Sequence, residues 1–131
     1  MKYLLIVDYR PGVDDTPMEQ WKPAEVQAHM DYYQALNKQL LENGELVGGF
    51  ALRPPDTAKT VTSDGRTPDV VTDGIYPETK EILAGFQTVD VESEERAIEI
   101  AKLVSQVPGP GGVPLGQPIV VRQVMHEFAE E

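Results

Sequence analysis

Two histidines, His29 and His126, and no cysteine occur in this chain of 131 residues. Imidazole titrates near neutrality, so a histidine set in a pocket can take up a proton and return it within one turnover. His29 is the stronger candidate. With Tyr33, Leu36 and Leu40 it keeps the i, i+4, i+7, i+11 spacing of one helix face, which aims it along the inner edge of that helix toward a sheet. A satisfied structural histidine beside an apolar stripe is the competing role. His126 sits between Met125 and Glu127, and two histidines separated by most of the chain have no metal-ligand spacing, so no metal is assigned. The absence of cysteine excludes thiol nucleophiles, disulfides and Cys-ligated zinc or iron–sulfur centres. The stretch 109–112 lacks both Gly-x-Gly-x-x-Gly and a Lys-Ser/Thr pair and leads toward a strand, so no nucleotide loop and no cofactor are expected.

The charge balance makes the cations informative. Lys and Arg number 11 against 22 Asp and Glu, a formal charge of −11. Such a surface repels phosphate backbones and anionic headgroups, which argues against nucleic-acid and membrane partners. Arg53 ends one strand-like run and Arg122 lies inside another; an arginine in an apolar strand must find a carboxylate, the protein's or a ligand's. Lys80, in a loop, could supply local positive potential for an anionic substrate. Tyr3, Tyr32, Tyr33 and Tyr76 could line an aromatic pocket, with core and interface packing as the alternative. Asp73 precedes Gly74, a pairing common in turns because the carboxylate accepts nearby backbone N–H groups.

The elements that must position these residues are legible. With 40% apolar residues, the chain has material for one core and one domain, 1–131. Residues 3–7 read as a strand covered on both faces, followed by a loop from Asp8 to Asp15. Thr16-Pro17-Met18-Glu19 reads as a capping box, but Pro23 would break a helix begun there, so the main helix is expected over 23–42. Its stripe is Val26, Met30, Tyr33, Leu36, Leu40 and Leu41, and Asn43-Gly44 stops it. Residues 45–52 form a strand whose Gly48-Gly49 implies a bulge or a close backbone contact. Runs 57–62 and 68–72 flank Ser63-Asp64-Gly65-Arg66, a hairpin signal. Residues 75–80 form an irregular loop or one helical turn, and 83–91 a further strand. Ser93 caps a helix to about Ser105 that buries Ala97, Ile100, Ala101 and Val104. A Pro/Gly-rich loop over 107–117 leads to a last strand over 119–128, with a frayed tail at Ala129–Glu131. No signal peptide or membrane span is expected at the start, since five apolar residues are too few, and a cytoplasmic location follows. Two βαβ-like halves predict a ferredoxin-like α+β sandwich whose bare sheet face meets a second subunit.

The opening Met-Lys-Tyr-Leu-Leu-Ile, the His29 helix, Leu46-Val47-Gly48-Gly49, Val71-Thr72-Asp73-Gly74 with Glu78-Thr79-Lys80-Glu81, Gly85-Phe86, and Val121-Arg122-Gln123-Val124-Met125 together resemble the YCII-related proteins. Within them the chain is similar to the branch named for an Asp-Gly-Pro-Phe motif, with Ile75-Tyr76 in place of Pro-Phe. The resemblance implies a dimeric α+β barrel made by two ferredoxin-like sheets face to face. It also implies a pocket between sheet and helices in which His29 and Asp73 form a catalytic pair, Asp73 orienting the imidazole. Relatives of that fold with known chemistry, muconolactone isomerases and dehydrochlorinases of hydroxylated aromatics, move protons on small cyclic substrates.

Three functions follow for comparison. The first is a cofactor-free enzyme that isomerises or eliminates from a small anionic or phenolic compound, with Lys80, Arg53, Arg122 and Tyr76 binding it. The second is a ligand-binding or regulatory homodimer without turnover, and the third a dimerisation module. A histidine with a shifted pKa beside a carboxylate in a concave site favours the first. A closed apolar cavity with His29 bonded to backbone favours the others.

Overall fold

In a computed structural model that describes residues 1–9, 18–74 and 82–128, the chain runs β1 (Lys2–Tyr9), α1 (Pro23–Glu42), β2 (Leu46–Ala51), β3 (Lys59–Thr62), β4 (Val70–Asp73), β5 (Ile82–Asp90), α2 (Glu94–Ser105) and β6 (Ile119–Gln123). Strands β2, β5, β1 and β6 make one sheet in that order, and every adjacent pair is antiparallel. β1 and β2 thus flank β5 through a helical crossover, the split βαβ arrangement of ferredoxin-like α+β folds. β3 and β4 form a separate hairpin inserted between β2 and β5.

Alternation decides which face is covered. Tyr3 and Leu5 of β1 and Val89 of β5 pack against Leu36 and Leu40 of α1 and Ala97, Ile100, Ala101 and Val104 of α2, so both helices lie on one side of the sheet. The intervening residues Leu4, Ile6, Phe86 and Val120 face the other side, where neither helix packs, and Phe50 beside Phe86 is 69% exposed. β1 was expected to be covered on both faces; in the single chain it is covered on one. It also continues through Asp8 to Tyr9, past a register shift at Val7/Asp8.

Helix α1 spans the expected 23–42, but its stripe is rotated. Met30 and Leu41 are exposed, and the buried positions are His29, Leu36 and Leu40. Its start is a different box from the one expected: the Lys22 N–H donates to Glu25 Oε1 at 2.9 Å, with Pro23 in the first turn. Thr16 and Pro17 lie outside the described residues, and Met18–Gln20 forms one 3-10 turn. Helix α2 begins at Ser93, whose Oγ accepts the Arg96 N–H at 3.2 Å, and buries the four residues expected of it.

The Gly48-Gly49 signal has both of its anticipated meanings. The register slips between Leu46 and Gly48, and a Cβ on Gly49 would sit 2.9 Å from Gln87 Cα and against the Phe86 carbonyl. The hairpin forms, but its connection runs over 63–69 instead of a two-residue turn. Asp64 Oδ1 accepts the N–H groups of Arg66 and Thr67, both at 2.9 Å, which widens the loop. Residues 55–57 make a 3-10 turn that delays the first hairpin strand to Lys59. The last strand stops at Gln123 instead of 128, because beyond one further bond from the Val124 N–H to Lys2 carbonyl the chain leaves the β1 ladder. The tail 129–131 lies outside the described residues. Among the described residues no helix is long and apolar enough to cross a membrane.

Candidate functional site

His29 is set into the molecule by the first turns of α1 and the loop after α2. It is 8% exposed, with the rings of Trp21 and Tyr33 meeting it edge-on at centroid distances of 5.3 and 5.2 Å. Its Nδ1 lies 2.9 Å from the Pro108 carbonyl oxygen. A carbonyl only accepts, so Nδ1 carries the proton and the lone pair of the neutral ring is on Nε2. Nε2 has no hydrogen-bond partner among the described residues, and no buried side-chain nitrogen or oxygen there is left unpaired. A neutral imidazole that donates through Nδ1–H has its remaining lone pair on Nε2, the atom that could accept a proton.

The loop that supplies the carbonyl is tightly built. The Leu115 N–H donates to the Val107 carbonyl and the Gly109 N–H to that of Val113, each at 2.9 Å, and Pro108 bridges Pro114. At its base the Gly116 N–H and the Ser105 hydroxyl, at 2.9 and 2.6 Å, join Ser105 to Gly116 and Gln117. Burial foremost pushes the pKa of the neighbouring Tyr33 phenol up.

Asp73 is elsewhere. It ends β4 on the exposed hairpin, where its carboxylate pairs with the Lys59 ammonium, the cross-strand residue. The structure does not bring Asp73 to His29, and the orienting group beside the imidazole is a backbone carbonyl. Arg122 is exposed and opposite Leu4, on the uncovered face of the sheet, whereas His29 is on the helix side. Arg53 is exposed just beyond β2. Among the described residues neither arginine forms an ion pair. Tyr76 and Lys80 lie outside the described residues. Tyr3 is a core residue, and the Tyr32 hydroxyl donates to the Leu103 carbonyl at 2.6 Å. His126 stacks edge-on with Phe128, and among the described residues no cluster of His, Cys, Asp and Glu is grouped to hold a metal ion.

Two open depressions lie away from His29. One, of about 520 Å³, is lined by Asn43, Glu45, Asp90, Val91, Glu92 and Arg96. Its Arg96 forks onto Glu45 at 2.8 and 2.9 Å, which holds the Glu45 carboxyl below its usual range. The other, of about 400 Å³, lies between α2 and β6.

A family model of the YCII-related domain matches residues 1–108. The chain belongs to the YCII-related family. It is similar to an uncharacterized protein of Rhizobium meliloti (strain 1021), with 30% identity over 92 residues, 70% of this chain and 73% of that protein. The matched region of this YCII-related chain contains His29 and ends on Pro108, the residue that orients it.

Sequence reasoning missed Trp21, Glu25 and Pro108. The Glu25–His29 spacing, i to i+4, was a usable signal, since those positions share a helix face. The Pro108 carbonyl had none, because every residue carries one.

Proposed function

We propose that this chain is a cofactor-free small-molecule enzyme that transfers a proton, isomerising or eliminating from a small anionic or phenolic compound, with His29 Nε2 as the base. The observation that supports this is the Nδ1–Pro108 bond at 2.9 Å, which fixes the proton on Nδ1 and the lone pair on Nε2. The Pro108 carbonyl takes the orienting role that the family resemblance implied for Asp73. Arg53, with no ion-pair partner among the described residues of an acidic chain, draws an anionic ligand; Lys80 and Tyr76 are retained as binding residues on sequence grounds, and Arg122, across the sheet from His29, is retained as a cation on the subunit-facing side. The working unit is a homodimer joined through the uncovered sheet face, a dimeric α+β barrel of the Asp-Gly-Pro-Phe branch, in the cytoplasm. Its support is the apolar face carrying Leu4, Ile6, Phe50, Phe86 and Val120.

The second reading, ligand binding without turnover, is favoured by the backbone bond itself, since among the described residues no carboxylate pairs with the imidazole. One experiment separates the two. A panel of small phenols, lactones and carboxylates is screened by the ring signals of His29, and compounds that move them are incubated in D2O. Exchange of a ligand C–H for deuterium, abolished in His29→Asn and retained in Asp73→Asn, is expected. Binding without exchange would establish the second reading, and exchange that survives His29→Asn would remove the base.

A further inference from the structure

The proposed role of His29 needs its imidazole held in one tautomer, and the group that holds it belongs to a loop that must itself be held. We infer that Glu25 is a positioning residue for His29, acting by fixing the 107–117 loop through its bond to the Gly111 N–H.

Glu25, His29 and Tyr33 are spaced i, i+4, i+8, so they form one row along α1. Two members of the row hold different points of the loop: Glu25 Oε2 accepts the Gly111 N–H and His29 Nδ1–H donates to Pro108, while the Tyr33 ring meets the imidazole edge-on at 5.2 Å. The other Glu25 oxygen accepts the Lys22 N–H at 2.9 Å, so the carboxylate is fixed at both ends. These two backbone bonds, the Gly111 bond foremost, hold the Glu25 carboxyl below its usual range, and it stays an acceptor throughout the neutral region. At the loop tip Gly111 and Gly112 both have φ of +72°, a left-handed turn glycine adopts without strain. Pro108 immediately precedes the Gly109–Gly112 turn, whose closing bond is 3.0 Å, and Gly111 lies within it. Releasing Gly111 therefore frees the tip three residues from the carbonyl that orients the ring.

The inference rests on His29 being the base, and the tautomer reads it without any substrate. In water the neutral histidine side chain prefers its proton on Nε2, so the loop must impose the opposite. Long-range 15N–1H correlation of the His29 ring, above its titration, is expected to show Nδ1–H dominant in the wild-type protein. In Glu25→Ala the ratio should move toward Nε2–H by about fivefold, the change a net hydrogen-bond contribution implies. Glu25→Gln, which keeps one acceptor oxygen, should move it less, and Asp73→Asn not at all. Glu25 is partly exposed in the first helical turn, and an unchanged backbone amide spectrum for α1 and α2 verifies that each variant is folded. A folded Glu25→Ala with the wild-type tautomer ratio would overturn the inference and leave His29 as the base. Dominant Nε2–H in the wild-type protein would overturn the orientation of His29 itself.

Discussion

At the scale of single residues, ion pairs divide by how much water they have lost. Lys59–Asp73 and Met1–Asp90 are exposed and contribute little. Arg96–Glu45 is different: the side chains are 26% and 15% exposed and the guanidinium engages both carboxylate oxygens. Glu45→Gln should lower stability at neutral pH by about 1–2 kcal/mol, measured by urea unfolding. The pH dependence follows from the same pair. Arg96 is charged throughout, and it depresses the folded pKa of Glu45 below the ordinary value of 4.5. The contribution is therefore complete above about 4.5 and is lost as pH falls through the depressed value. Urea midpoints should drop across that acid window in the wild-type protein and drop less steeply in Glu45→Gln. Equal slopes would show that the pair does not link protonation to folding.

Among the elements, β2 and β5 show how closely a backbone approach can be read. Gly49 and Gly85 face the opposing strand so closely that a Cβ on Gly85 would stand 2.6 Å from the Phe50 carbonyl oxygen. Gly48, one residue from Gly49, has nothing within 4 Å of its missing Cβ. Gly49→Ala should therefore cost about 1–3 kcal/mol by forcing the strands apart, while Gly48→Ala should stay within about 0.5 kcal/mol. Thermal unfolding of the two variants measures this directly, and equal losses would refute the close-approach argument. The Gly-Gly pair announced an irregularity in the sequence, but which glycine was the crowded one depended on a strand more than thirty residues downstream. The same limit explains the last strand: Ile119 to Phe128 looked strand-like throughout, and pairing with β1 ended near Lys2.

For the whole molecule, the uncovered face of the sheet is the feature with the largest energetic consequence. Phe50 stacks edge-on against Phe86 at 5.6 Å and leaves 69% of its surface to water. An aromatic cluster of this kind is what an interface centre uses. Sedimentation equilibrium at micromolar concentration should give twice the chain mass, and Phe50→Asp should weaken the association by roughly 30-fold or more, the loss typical of a central aromatic. A monomeric wild-type protein, or a variant that associates equally well, would place the interface elsewhere. Alternation along β1 was enough to sort the helix-facing residues from the others. Whether those others meet water or a second chain is a property of assembly.

Read from its residues alone, the chain already determined the α+β class, the limits of both helices, the Ser93 cap, the hairpin and the placing of His29 on a buried helix face. Each of these depends on neighbours within a few positions, where periodicity, capping and turn chemistry act. Only the tertiary structure decided what orients His29. The partner lies 79 residues away and is a main-chain carbonyl, a group with no side-chain signature, delivered by a loop whose path is set by bonds to Glu25 and Ser105. It likewise decided that Asp73 pairs across its own hairpin with Lys59, because strand register, which no short stretch of residues specifies, put the ammonium opposite the carboxylate.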